Sequence, residues 1–217
     1  MTKIVIYIAL LLSSYQLEAE VDCKASPINQ GKYLNRKPPK SWANCYGEYI
    51  YLNNASTYKG SFMNGKPDGN GVLENIAGSS YTGDWKNGQF DGRGVVQNSD
   101  GSVYDGFWVN GKFVGQGSII LPKIGKITGY WTDVNVTGEF TVEYNNNHLY
   151  TGSLIEGIRH GYGVLVYPDG SSYNGYWEND KEHGEGSLKF SDQKLFSGLW
   201  KDGEYFGVKR DNNEYSN

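Results

Sequence analysis

The chain has 217 residues, 15% of them aromatic and 20% charged, with a formal net charge of −4. That acidity argues against a nucleic-acid ligand and against anionic membranes as a partner for the surface as a whole, because both attract basic surfaces. Thirty glycines and 38% hydrophobic content exclude a bulky two-layer globule and would suggest disorder if the glycines were scattered, but they recur at fixed positions.

Residues 1–19 open the chain. Lys3 precedes an apolar run over residues 4–12, and a polar stretch ends at Ala19. Nine apolar residues fall short of the roughly 20 that span a bilayer, so the layout predicts a secretory signal cut after Ala19. The mature chain is then expected to be exported, to a periplasm, a cell envelope or the extracellular space.

Residues 20–57 read as an N-terminal cap. Cys23 and Cys45 are the only cysteines, and in an oxidising compartment they are expected to pair. Closing a loop of that length stabilises by about 3 kcal/mol in the chain-entropy account. Lys24, Lys32, Arg36, Lys37 and Lys40 lie in this segment without an intervening acid. They make a basic loop, in which Lys32, Arg36, Lys37 and Lys40 are candidate contacts for acidic lipid headgroups, or simply a solvated surface. Trp42 and the stretch from Tyr46 to Tyr51 resemble the second half of a repeat, with Gly47 one residue out of register. This half unit is expected to cover the first full hairpin, since the end of an array needs a protected edge.

From Tyr58 onward the chain repeats every 23 residues, with first positions Tyr58, Tyr81, Tyr104, Ile127, Tyr150, Tyr173 and Phe196. Counting each unit from zero, offset 2 is glycine in all seven (Gly60 to Gly198), and so is offset 11 (Gly69 to Gly207). Offsets 7 and 13 are glycine in five units each, the exceptions being Val134, Asp180, Phe140 and Lys209. A period held over seven units without insertion marks a repeat array built from one supersecondary element. The alternation Tyr81, Gly83, Trp85 places two rings on one face of a strand with bare backbone between them. The pairs Asn64-Gly65, Asn87-Gly88, Asn110-Gly111 and Asp202-Gly203 carry the chemistry of tight hairpin turns. Val95-Val96 and Val164 to Tyr167 are strand formers that lead into Asp100-Gly101 and Asp169-Gly170 turns. Each unit therefore predicts one β-hairpin. The fourth unit, with Ile127, Val134 and Phe140 in place of the usual residues, predicts a bulge or an altered turn.

The pattern Tyr-x-Gly-x-Trp, a turn glycine, then Gly-x-Gly, carried in phase over residues 58–209, resembles the MORN (membrane occupation and recognition nexus) repeat family. That resemblance implies an all-β fold: an elongated, twisted antiparallel sheet of successive hairpins, seven units long. Residues 210–217 follow as a polar tail.

The stripe formed by Tyr58, Phe62, Tyr81, Trp85, Tyr104, Trp108, Trp131, Tyr150, Tyr173, Trp177 and Trp200 is either the thin core of a single-layer sheet or, in part, an exposed binding face. Leu154 interrupts it. Gly60 to Lys66 and Gly106 to Lys112 have the spacing of a phosphate loop, but Pro67 and Phe113 stand where a metal-binding hydroxyl is required, so no nucleotide is expected. His160 and His183 share offset 10 and read as turn residues, too far apart to converge on a metal. No nucleophile can be tied to a base by motif, and the carboxylates are scattered. The expectation is therefore a protein without catalysis or cofactor, a scaffold or adaptor binding a protein partner or its own copy through the sheet. The resemblance points the same way, since family members are mostly viewed as interaction modules. Two alternatives are anionic lipid binding through the basic cap and sugar binding on the aromatic face.

Overall fold

The computed structural model describes residues 21–23, 42–51, 55–132, 134–209 and 215–216. The signal segment, the basic residues Lys24, Lys32, Arg36, Lys37 and Lys40, and most of the tail lie outside the described residues. The strands are β1 Val21–Asp22, β2 Cys45–Tyr51, β3 Ser56–Met63, β4 Lys66–Asn75, β5 Ser80–Lys86 and β6 Gln89–Gln97. They continue with β7 Val103–Val109, β8 Lys112–Leu121, β9 Gly125–Trp131, β10 Gly138–Tyr144, β11 Leu149–Ile155 and β12 Ile158–Val166. The last five are β13 Ser172–Glu178, β14 Lys181–Lys189, β15 Leu195–Lys201, β16 Glu204–Lys209 and β17 Tyr215–Ser216. From β2 to β16 each strand pairs antiparallel with the next in sequence. β1 runs parallel to β2, and β17 antiparallel to β16. The result is one open, twisted, all-β sheet with one hairpin per repeat. At about 4.8 Å per strand, the run from β2 to β16 extends for about 70 Å.

The second unit shows why the glycines recur. Its strands pair Tyr81 with Val96 and Gly83 with Gly94, then Trp85 with Phe90, so the return strand carries two extra residues in a bulge. Gly92 inside the bulge has φ 115°, a conformation that L side chains rarely adopt. The Asp84 carboxylate accepts a hydrogen bond from the Arg93 amide there at 2.9 Å. At the hairpin tip Asn87 and Gly88 have φ of 51° and 84°, as a type I′ turn requires. The tip is tied to the preceding unit: the Gly88 amide donates to the Pro67 carbonyl at 2.8 Å, and the Asn87 amide to the Asp68 carboxylate at 3.0 Å.

The fourth unit departs from this plan in the turn. β9 and β10 pair in unbroken register from Gly125–Tyr144 to Gly129–Phe140, and their ends, Trp131 and Gly138, are further apart in sequence than the strand ends of the other hairpins. The turn is altered, while the bulge that interrupts the other six hairpins is missing from this one. Val134 stands at the turn-glycine position, and a β-branched residue is strongly disfavoured at positive φ, so the tight turn gives way.

At the N-terminal end, Cys23 and Cys45 form a disulfide with Cα atoms 5.0 Å apart. β2 pairs Cys45 with Phe62, Gly47 with Gly60 and Tyr49 with Tyr58. Gly47 thus takes the spatial place of the offset-13 glycine; the paired positions Tyr49 and Tyr58 are one residue further apart in sequence than Leu73 and Tyr81, which accounts for its shifted register. Trp42 is buried and packs edge-on against Phe62 at 4.9 Å, closing the end of the core.

Candidate functional site

Most of the aromatic stripe is the core. In the second unit the Tyr81 ring stacks on Phe90 at 3.6 Å and lies over Gly94, where an added Cβ would sit 2.3 Å from the phenolic oxygen. The Tyr81 hydroxyl donates to the Asp84 carbonyl at 2.8 Å. Trp108 of the next unit donates its indole N–H to the Gly94 carbonyl at 3.0 Å. One glycine is therefore held between the tyrosine of its own unit and the tryptophan of the next. The same clamp recurs with Tyr58, Gly71 and Trp85, and with Tyr150, Gly163 and Trp177. Tyr58, Tyr150, Tyr173 and Trp131 are fully buried; Phe62, Tyr81, Trp85, Trp108 and Trp177 are nearly so, and Tyr104 and Trp200 are half-buried. Burial pushes the phenols of Tyr58, Tyr81, Tyr150 and Tyr173 far above their ordinary range.

Units that lack the buried tyrosine fill its place from elsewhere. Phe113 covers Gly117 in the third unit and Phe140 covers Gly129 in the fourth. Tyr205 lies against Gly198 in the seventh, where Phe196 has swung out to 51% exposure. A ring is required at this place, but the strand that supplies it is free to change.

With most of the tryptophans used in packing, four further accessible aromatics lie on the other face. Phe107, Tyr130, Tyr162 and Tyr176 are between 47% and 65% exposed. They fall at offsets 3 and 12, which pair across units as Arg93–Phe107, Gln116–Tyr130 and Tyr162–Tyr176, the last two rings 5.6 Å apart. Sequence reasoning passed over them because offset 3 is polar in the first two units and glycines and tryptophans dominate the pattern. The available signal was the change from Ser61 and Asp84 to Phe107 and Tyr130.

The core face has a polar opening, a cavity of about 400 Å³ lined by Tyr144, His148, Arg159, Tyr167, Asp180 and Glu182 among others. The Arg159 guanidinium lies 4.1 Å from the Trp177 ring centroid. It donates from Nε to the Asp180 carboxylate at 2.9 Å and from an Nη to the Asp180 carbonyl at 2.8 Å. The Tyr167 hydroxyl donates to Glu182 at 3.3 Å. Burial, and secondarily the Glu182 charge, pushes that phenol up to about 12.

The sequence profile of the MORN repeat matches residues 58–79, 81–103, 104–123, 150–172 and 173–194. The chain belongs to the MORN repeat family. The two units outside the match begin with Ile127 and Phe196, where the consensus tyrosine is missing. Solved structures similar to the chain include the TCP10 domain of Danio rerio CPAP alone, at 18% identity and TM-score 0.43 over 73% of each chain. The same domain in complex with a peptide of Danio rerio STIL matches at 18% identity and TM-score 0.40, covering 70% of this chain and 73% of that one. The SAS-4 (dCPAP) TCP domain in complex with a proline-rich motif of Ana2 of Drosophila melanogaster matches at 10% identity and TM-score 0.43, covering 71% and 90%. No curated protein matches the chain.

The remaining sequence candidates have structural places within the MORN units. Gly60 to Lys66 and Gly106 to Lys112 run along a strand into a hairpin turn, with no helix behind them to receive a phosphate. His183 Nε2 lies 3.4 Å from Glu178. Among the described residues no three His, Cys, Asp or Glu side chains converge into a metal site.

Proposed function

We propose that this MORN array is a non-catalytic binding scaffold that meets a protein partner, or a second copy of itself, through the face opposite the aromatic core. The observation that carries this reading is the exposed row of Phe107, Tyr130, Tyr162 and Tyr176, on a surface that no other described residue covers. Aromatic side chains left in water on a rigid sheet supply contact area at low entropic cost. Sugar stacking on the tryptophans is the less favoured reading, because Trp85, Trp108, Trp131 and Trp177 are at most 7% exposed and Trp200 is half-buried. An exported location is part of the proposal, supported by the Cys23–Cys45 disulfide, a bond that persists in oxidising compartments.

Sedimentation velocity of residues 20–217, compared with a Tyr130→Glu/Tyr176→Glu variant, tests the face. A concentration-dependent dimer that the variant loses establishes self-association through these rings. If both are monomers at all concentrations, partner capture is compared between the two; identical capture by the variant refutes the assignment of this face.

A further inference from the structure

Offset 9 of the repeat points to the core side and is apolar or aromatic in five units, as Pro67, Phe90, Phe113, Val136 and Tyr205. Units five and six break the rule in succession with Arg159 and Glu182. The two charges are not equivalent. Arg159 is satisfied within the protein: the Trp177 ring, the Asp180 carboxylate and the Asp180 carbonyl hold its guanidinium, leaving the side chain 19% exposed. Glu182 is half-buried at the rim of the same cavity, and among the described residues its carboxylate receives one long hydrogen bond, from the Tyr167 hydroxyl at 3.3 Å. A half-buried carboxylate with one weak donor is costly unless a cation answers it.

We propose that the cavity between the fourth, fifth and sixth MORN units is a binding site for an organic cation, the ammonium or guanidinium end of a lysine or arginine side chain on a peptide. Glu182 is the counter-ion, and the Tyr144 and Tyr167 rings form the walls. Three observations converge on this ligand class. Asp180 and Glu182 outnumber Arg159, the one permanently charged cation of the lining, which disfavours phosphate and carboxylate ligands. The walls are aromatic, and ring faces attract cations. The neighbouring Arg159 shows that this face already holds a guanidinium between a ring, a carboxylate and a carbonyl. The volume of about 400 Å³ admits a long side chain with its backbone outside.

The site lies on the face opposite Tyr130 and Tyr176, so it stands or falls separately from the scaffold surface. The test is a ¹H–¹⁵N NMR titration of residues 20–217 with Nα-acetyl-lysine amide and Nα-acetyl-arginine amide, using Nα-acetyl-norleucine amide and methyl glucoside as controls. The indole N–H signal of Trp177, whose ring packs on Arg159, reports on the cavity. Saturable shifts of the Trp177 signal with the two cations and none with norleucine amide are expected. Glu182→Gln, which keeps the size of the side chain at a position where uncharged residues are tolerated, should weaken binding at least tenfold with indole dispersion unchanged. Tyr167→Phe should retain binding within about threefold, because the ring face is kept. Absence of saturable shifts, equal shifts with norleucine amide, shifts with the glucoside alone, or undiminished affinity in Glu182→Gln would each overturn the proposal.

Discussion

Substitution of Gly94 by alanine tests the clamp at the centre of every regular unit. Gly94 has no positive φ, so the penalty is steric and not conformational. The new Cβ would meet the Tyr81 ring at 2.3 Å from Oη and 2.5 Å from Cε2 and Cζ. The ring has little room to retreat, being stacked on Phe90 at 3.6 Å, edge-on to Trp85 at 5.2 Å and Trp108 at 5.9 Å, and bonded to the Asp84 carbonyl. Overpacking of this kind costs about 1–3 kcal/mol, and the upper end is expected where every neighbour of the ring is itself fixed. For a chain of this size that is a fall in Tm of about 6–12 °C, read by tryptophan fluorescence during a thermal ramp. The decisive control is a double-mutant cycle with Tyr81→Leu, which removes the obstructing ring: in that background Gly94→Ala should cost less than about 0.5 kcal/mol. An equal penalty with and without the ring would refute the clamp. Gly111→Ala separates the two uses of glycine, since its Cβ would meet nothing within 4 Å while its φ of 79° is strained; a loss of about 1 kcal/mol is expected there.

Other consequences follow from the same packing. Trp108→Ala removes a ring that is 7% exposed, together with its hydrogen bond to Gly94, and should cost about 3–5 kcal/mol by denaturant titration; unchanged stability would contradict its place in the core. Reduction of Cys23–Cys45 should lower stability by about 3 kcal/mol and raise hydrogen exchange in β2 and β3 while leaving β13 to β15 protected, because coupling in an array runs between neighbours. Alkaline pH should unfold the array. The buried tyrosines have phenol pKa values raised above the unfolded value near 10. Their stabilisation is complete below about pH 10 and is lost as pH rises toward the folded values, with a slope of up to about 1.4 kcal/mol per pH unit for each tyrosine. Denaturation midpoints between pH 8 and 11.5 should be flat at first and then fall; a flat profile throughout would show that the phenols ionise in place.

The sequence alone determined the hairpin array. A backbone requirement recurs every 23 residues and is written in glycine: the positive φ of Gly92 and the turn at Asn87-Gly88 permit few alternatives, and a local conformational rule is legible without knowing any neighbour. The half repeat at Gly47 was legible for the same reason. What the stripe of rings does was not, since alternation along a strand says which residues share a face and not which face is covered. Only the tertiary structure decided that Tyr81 and Trp108 close on Gly94, and that Phe113, Phe140 and Tyr205 stand in where the tyrosine is missing or held elsewhere. These contacts join residues from different strands and units, and a ring can reach the same glycine from several sequence positions. It also decided which exceptions matter. Arg159 and Glu182 are two departures from one offset, but the first is held by Trp177 and Asp180 and the second faces an open cavity, a difference set by neighbours one repeat away.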